Sequence, residues 1–290
     1  MLNHFWSITA TSLLILSAGV VHAQEIVFGV ISTDSSSIQR TRWEPFFRDM
    51  ERRTGLTVRG FYAPDYAGVI EAMRFRKVDV AWLGNKAAIA AVDRAKGEVF
   101  AQIYYSDGSS AYYSLLITRA DSPLRSIKDV FSQAGKLKLG IGDPSSTSGY
   151  LFPVRYLFDQ NRVDYRTAFK AVSMAGHASN IQAVLSNKVD VAITDSEDLQ
   201  KLKINQPERW KRIRELWRSP PIPSDPLVWR ADLSPTLKAK IESFIIGYGK
   251  TDAAERAVLK NMYDYGGFKK SSNRQLTPIR DLERKREGTQ

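Results

Sequence analysis

The chain has 290 residues, of which 43% are hydrophobic, 25% charged and 11% aromatic, values that exclude a disordered or fibrous protein. Its length points to two domains, because single cores stop growing near ~250–300 residues. The absence of cysteine excludes disulfides, thiolate nucleophiles, Cys-based zinc sites, iron–sulfur clusters and a lipid-modified cysteine. Lys and Arg number 42 against 31 Asp and Glu, for a formal charge of +11.

Residues Ile8–Val21 form the apolar run ITATSLLILSAGVV, followed by His22, Ala23 and Gln24. The run is too short for a membrane span, which needs about 20 apolar residues. Val21-x-Ala23 is a small-residue cleavage pattern, so residues 1–23 are predicted to be an export signal cut after Ala23. The segment MLNHFW departs from the usual pattern in having no Lys or Arg. Cleavage would remove His4 and His22 and leave His177 alone, which excludes a multi-histidine metal site. Export without a lipid-anchoring cysteine points to a soluble periplasmic protein, and no cofactor is called for.

In chain order, strand patterns fall at 26–32, 58–63, 78–84, 99–105, 112–119, 136–142, 169–174 and 189–194. Helical patterns fall at 40–53, 66–76, 85–95, 148–160, 178–187 and 234–248, with Asp65 as the natural N-cap of the second. This alternation predicts an α/β protein with largely parallel sheets. The basic stretch RWKRIRELWR (209–218) places Trp210, Ile213 and Trp217 at helical spacing and reads as a solvated helix face over a packed seam. Scattered charge and export argue against a nucleic-acid partner, while a positive field weakly favours a small anion. The mixed-sign tail from Arg280 reads as fraying.

The pentapeptide KVDVA occurs at 77–81 and again at 188–192, an offset of 111 residues. The same offset maps Gly29 onto Gly140, Ser35–Ser37 onto Ser146–Ser148, and Tyr66 onto His177. The order strand, hydroxyl loop, helix, strand, turn, helix, strand thus recurs in register. It predicts two lobes with a cleft between them: 24–117 with 226–290, and 118–225. The chain would cross near Leu116–Arg119 and near Pro220–Asp225.

In IGDPSSTSGYLFP (141–153) a strand ends at Gly142, and Ser145 to Gly149 lead into a helix. Unpaired N–H groups at a helix start, together with hydroxyls and a glycine, suit a tetrahedral oxyanion. The segment alone reads equally as a helix cap with extra serines. TDSSSI (33–38) would offer the matching loop on the other lobe, and Tyr66 and His177 sit at matching helix starts. Glu197 in TDSEDL and Asp225 in PIPSDPLVW occupy strand-end or crossing positions, where α/β proteins bind ligands. In the cleft they would suit a ligand cation; otherwise they are solvent-exposed loop acids.

The ordered set APDYAG (63–68), KVDVAWLGN (77–85), DPSSTSGYLFP (143–153), AGHASN (175–180) and SDPLVW (224–229) resembles the phosphonate-binding, PhnD-type family of periplasmic substrate-binding proteins of ABC transporters. The resemblance covers nearly all of the chain after residue 23. It implies a type II periplasmic-binding fold that closes on ligand, a membrane permease as partner, and no catalysis. It also implies that Tyr66, Tyr112, Ser146, Thr147, Ser148 and His177 hold a phosphonate group. Glu197 and Asp225 match the family positions that hold an amino group, as in 2-aminoethylphosphonate. Leu83 stands where a second aromatic is expected after Trp82, and TDS before Glu197 replaces a more amide-rich loop; both bear on the preferred substituent. The rival readings are a binding protein for phosphate, phosphite or another oxyanion, a sensor partner of a membrane kinase, and an exported hydrolase with Ser146 or Ser148 as nucleophile and His177 as base.

Overall fold

The computed structural model describes residues 24–287; the expected export signal, 1–23, lies outside the described residues. Among the described residues thirteen strands are formed: β1 Glu25–Val30, β2 Thr57–Tyr62, β3 Val80–Trp82, β4 Gly97–Tyr105, β5 Ala111–Tyr112, β6 Ser114–Arg119, β7 Lys138–Ile141, β8 Ala171–Met174, β9 Val191–Asp195, β10 Ile213–Arg218, β11 Ile222–Pro223, β12 Pro226–Arg230 and β13 Tyr265–Lys270. They build a six-stranded sheet, β13-β4-β12-β3-β1-β2, and a five-stranded sheet, β10-β6-β9-β7-β8. β5 and β11 pair with each other in a separate ribbon, where the chain passes between the sheets in both directions.

The 111-residue repeat is built into both sheets. β1 pairs in parallel with β2 and β3, as β7 does with β8 and β9. Gly29 stands opposite Ala81 and Gly140 opposite Ala192. Each glycine sits under a helix: an added Cβ would lie 2.7 Å from Val69 at Gly29 and 2.8 Å from Asn180 at Gly140. Asp79 and Asp190 explain why KVD recurs. The Asp79 carboxylate accepts the Val27 N–H at 2.8 Å, and Asp190 accepts the Lys138 N–H at 2.7 Å, so each acid pins one strand to its parallel neighbour.

The sheets are mixed rather than largely parallel. β12 runs antiparallel to β3 and β4 and β13 antiparallel to β4 in the first, and β6 runs antiparallel to β9 and β10 in the second. A chain that leaves a sheet by crossing to the other lobe returns in the opposite direction, without the helical crossover that parallel pairing needs. The first crossing also lies earlier than expected, since Leu116–Arg119 are already inside β6 and Ala111–Tyr112 form the ribbon. Residues 213–218 are an edge strand, not a helix. A bulge between Glu215 and Trp217 lets Ile213 pack on one side of the sheet while Leu216 and Trp217 pack on the other, which mimics helical spacing. The tail forms a helix, Thr277–Glu287, held by buried Ile279 and by two bonds from Arg280 to Asp93 at 2.7 and 2.6 Å.

Candidate functional site

The sequence-predicted residues reach the space between the two sheets at strand ends or helix starts. Tyr66 opens the helix Tyr66–Arg74, capped by Asp65, whose carboxylate accepts the Gly68 N–H at 2.8 Å. His177 opens the helix His177–Leu185 behind Gly176, which offers no capping side chain. Ser146 caps the helical segment that begins at Thr147, accepting the Gly149 N–H at 2.9 Å. Gly149 allows this loop to close on the imidazole, since a Cβ there would lie 2.9 Å from Ser146 Oγ and 3.2 Å from His177 Cε1.

These groups surround one small hollow with a cavity volume of about 10 Å³, room for about one water, so a ligand enters only as the lobes part. Tyr66, Tyr112, Ser146, Thr147, Ser148, His177, Glu197 and Asp225 all line it, so the structure brings together all eight sequence-predicted residues. Seven of them are buried, and Glu197 is half-buried because it also borders a wider groove outside. Tyr112 donates to Asp225 Oδ1 at 3.1 Å, and His177 Nε2 lies 3.3 Å from Ser148 Oγ. Contacts across the gap hold the lobes together. Thr147 Oγ1 accepts the Lys86 N–H at 2.9 Å, and Lys86 Nζ donates to the Pro144 carbonyl at 2.6 Å.

The matching loop of the first lobe does not take part as expected. Ser35, Ser36 and Ser37 are exposed, with Ser35 spent as the N-cap of the helix Ser36–Thr54. Asp34 turns this loop away from the hollow, pairing with Arg42 at 3.3 Å and with Lys201 of the opposite lobe at 3.5 Å. Thr33 is the hydroxyl that lines the hollow, bonded to Tyr263 Oη at 2.9 Å and to Gln39 Nε2 at 2.5 Å.

Sequence reasoning missed Asp195 and Asp198, which line the hollow beside Glu197. The signal was present in D-S-E-D: Asp195 caps the helix Ser196–Asn205 by accepting the Asp198 N–H at 2.8 Å, which turns both acids inward. Tyr263 carried no local signal, since 230 residues separate it from its partner Thr33. Trp82 also lines the hollow, its buried Nε1–H without a hydrogen-bond partner and close enough to Asp225 to favour the carboxylate.

The electrostatics are unusual for an anion site. Among the described residues no Lys or Arg lines the hollow, while four carboxyls do. Burial pushes Asp195 up to about 7 and Asp198 and Asp225 up to about 8, and burial next to Asp195 and Asp225 pushes Glu197 well up. Burial lowers His177, against the pull of Asp198. Such shifts arise where burial and neighbouring carboxyls disfavour the charged forms, an arrangement that clusters at functional sites. Among the described residues no cluster of three His, Asp or Glu is arranged to hold a metal ion, and no helix is long and apolar enough to cross a membrane.

Ser148, His177 and Asp195 invite comparison with a hydrolytic triad, but the geometry is not one. Ser148 Oγ and Asp195 Oδ2 both approach Nε2, at 3.3 and 3.2 Å, and Nδ1 is buried without a partner. A relay needs the acid on one ring nitrogen and the nucleophile on the other.

The family model for periplasmic substrate-binding proteins of phosphonate ABC transporters matches residues 28–276. The chain belongs to this family. It is a family of substrate-binding proteins, not of enzymes. The chain is 46% identical over 282 residues to the phosphonates-binding periplasmic protein of Escherichia coli K12, covering 95% of this chain and 82% of that one. It is 27% identical to the phosphate-import protein PhnD of Mycolicibacterium smegmatis, over 76% of this chain and 70% of that one. The crystal structure of a binding-protein component of an ABC phosphonate transporter from Pseudomonas aeruginosa superposes with a TM-score of 0.87 at 46% identity, covering 90% of this chain and 86% of that chain. The phosphonate-binding-family chain thus has the type II periplasmic-binding fold expected from its motifs.

Proposed function

We propose that this chain captures phosphonates carrying an amino substituent, with 2-aminoethylphosphonate as the fitting ligand, and delivers them to the permease of an ABC importer. The observation that carries this reading is the presence of two chemistries in one hollow. Tyr66, Ser146, Thr147, Ser148 and His177 supply donors, and Glu197 and Asp225 supply carboxyls. Charge-assisted hydrogen bonds are worth about 1.5–3 kcal/mol each, so several of them offset desolvation and closure. An ammonium group between Glu197 and Asp225 would supply the counter-charge that two buried carboxylates lack.

Capture proceeds by closure of two lobes, one built on the six-stranded sheet and one on the five-stranded sheet, about the β5–β11 ribbon. The open form takes the phosphonate on the Ser146–Ser148 loop and His177. The first lobe then adds Tyr66 and excludes water, which strengthens every charged contact inside. Periplasmic residence after cleavage at Ala23 is part of the same reading.

Phosphate is the second reading, favoured by the name of the mycobacterial relative. It would fill the donor half and leave Glu197 and Asp225 facing no cation. Calorimetry with 2-aminoethylphosphonate, methylphosphonate, phosphate and sulfate tests the proposal. We expect the aminophosphonate to bind tightest; no heat with either phosphonate rejects the assignment, and tightest binding of phosphate selects the second reading.

A further inference from the structure

We propose that Asp195 is a specificity-determining residue of the same hollow: its carboxylate accepts the proton of a P–OH group and so selects tetrahedral anions that carry a proton over sulfonates and sulfate, which do not. The inference rests on the reading of the hollow as a phosphonate site and adds a role that this reading leaves unfilled.

Glu197 and Asp225 face the amine in that reading, yet Asp195 and Asp198 also line the hollow and have no task in it. Asp195 stands among the anion donors. Its Oδ1 is occupied by the Asp198 N–H at 2.8 Å, while its Oδ2 lies 3.2 Å from His177 Nε2, the nitrogen that also faces Ser148 Oγ at 3.3 Å. The side chains of His177 and Asp195 are 4% and 5% exposed, so solvent does not screen the pair. Two further buried polar atoms here have no hydrogen-bond partner, His177 Nδ1 and Asp198 Oδ2. Lys201, 3.9 Å from Asp198 Oδ1, also serves Asp34, outside the hollow, and Arg42 likewise acts on both Asp198 and Asp34.

A carboxylate in this position repels a fully ionised oxyanion, since like charges sharing a buried site cannot both persist. Against a P–OH group the same oxygen becomes an asset, accepting a short charge-assisted O–H···O⁻ bond. Phosphonic acids lose their second proton near neutrality and can bring it into the site. Sulfonic acids are fully ionised there and have no proton to offer. One buried acceptor therefore distinguishes two anions of the same shape: the phosphonate shares its own proton with Asp195, whereas the sulfonate must face a buried carboxylate or draw a proton from solvent to neutralise it.

The test is calorimetry with methylphosphonate and methanesulfonate, isosteric ions of equal charge when the phosphonate keeps its proton. Wild type should prefer methylphosphonate by at least about 100-fold. Asp195→Asn retains an oxygen to cap the helix. It should weaken methylphosphonate by about 10–150-fold, the worth of one hydrogen bond to a charged group, and shrink the preference at least about tenfold. Asp195→Ser, which also caps a helix, should shrink it likewise. The proposal is overturned if wild type binds both ions within about threefold. It is also overturned if the variants weaken both ions equally, which would make Asp195 a support for His177 only. Failure of every phosphonate to bind wild type rejects the site assignment itself, a separate result.

Discussion

The units spanning β1–β3 and β7–β9 share a strand order, a parallel register, a glycine beneath a helix and an aspartate that clamps a neighbouring strand. They differ at the loop that follows the first strand of each. In the second unit Ser146, Thr147 and Ser148 are buried at the hollow, whereas Ser35, Ser36 and Ser37 are exposed. A repeated scaffold thus duplicates positions without duplicating chemistry. Direction decides the outcome: Asp34 ties the first loop to Arg42 and Lys201, while the second loop reaches across to Lys86.

Substitution at equivalent positions sharpens this contrast. Thr147→Val removes a donor shared by all ligands and the acceptor of the Lys86 N–H. We expect calorimetry to show a loss of about 10–150-fold for every ligand. A smaller, selective effect is expected of Glu197→Gln, with 2-aminoethylphosphonate weakened about tenfold or more and methylphosphonate within about threefold. Equal losses would show that Glu197 does not read the amine.

The shared clamp differs in setting between the two units. Asp79→Ala strips the part-buried Val27 N–H of its acceptor and Arg230 of its partner, so urea unfolding should show a loss of about 1–3 kcal/mol; Asp190→Ala leaves the Lys138 N–H to water and should cost less, with ligand affinity unchanged in both once folded. A larger loss at Asp190 than at Asp79 would contradict this. Least of all should happen at Ser37→Ala, the counterpart of Ser148: affinity should be unaltered, and a loss comparable to that of Ser148→Ala would place the first loop in the site after all.

Proton linkage separates the closed from the open form. Burial in the hollow raises Asp195 to about 7 and Asp198 and Asp225 to about 8 and lowers His177, and opening the cleft to solvent would relax these shifts. The carboxyls hold extra protons in the closed form, so their contribution favours closure at low pH and is lost as pH rises through about 7 to 8, while His177 opposes closure only below its ordinary value of 6.5. Small-angle scattering of ligand-free protein should therefore show a larger radius of gyration at pH 8 than at pH 6. An unchanged or smaller radius at pH 8 would contradict the assignment of these acids to the closed hollow.

Much of this was legible in the sequence because it is local and periodic. KVDVA, the Asp65 cap and the Ser146–Gly149 loop carry their geometry in neighbouring residues, and the constant offset told which positions correspond. What escaped was set by distant partners. The bulge in β10 imitated a helix at Trp210, Ile213 and Trp217; the turning of Ser35–Ser37 depended on Asp34 meeting Lys201; and Asp195 entered the hollow through a cap whose inward direction only the surrounding sheet determines.

The central claim is that one hollow reads both ends of an aminophosphonate. A crystal structure of the protein with 2-aminoethylphosphonate tests it most directly. The account requires phosphonate oxygens within about 3 Å of Ser146, Thr147, Ser148 and His177, and the amine within about 3 Å of Glu197 and Asp225. A ligand bound outside this hollow, or with its amine turned to solvent, would contradict it.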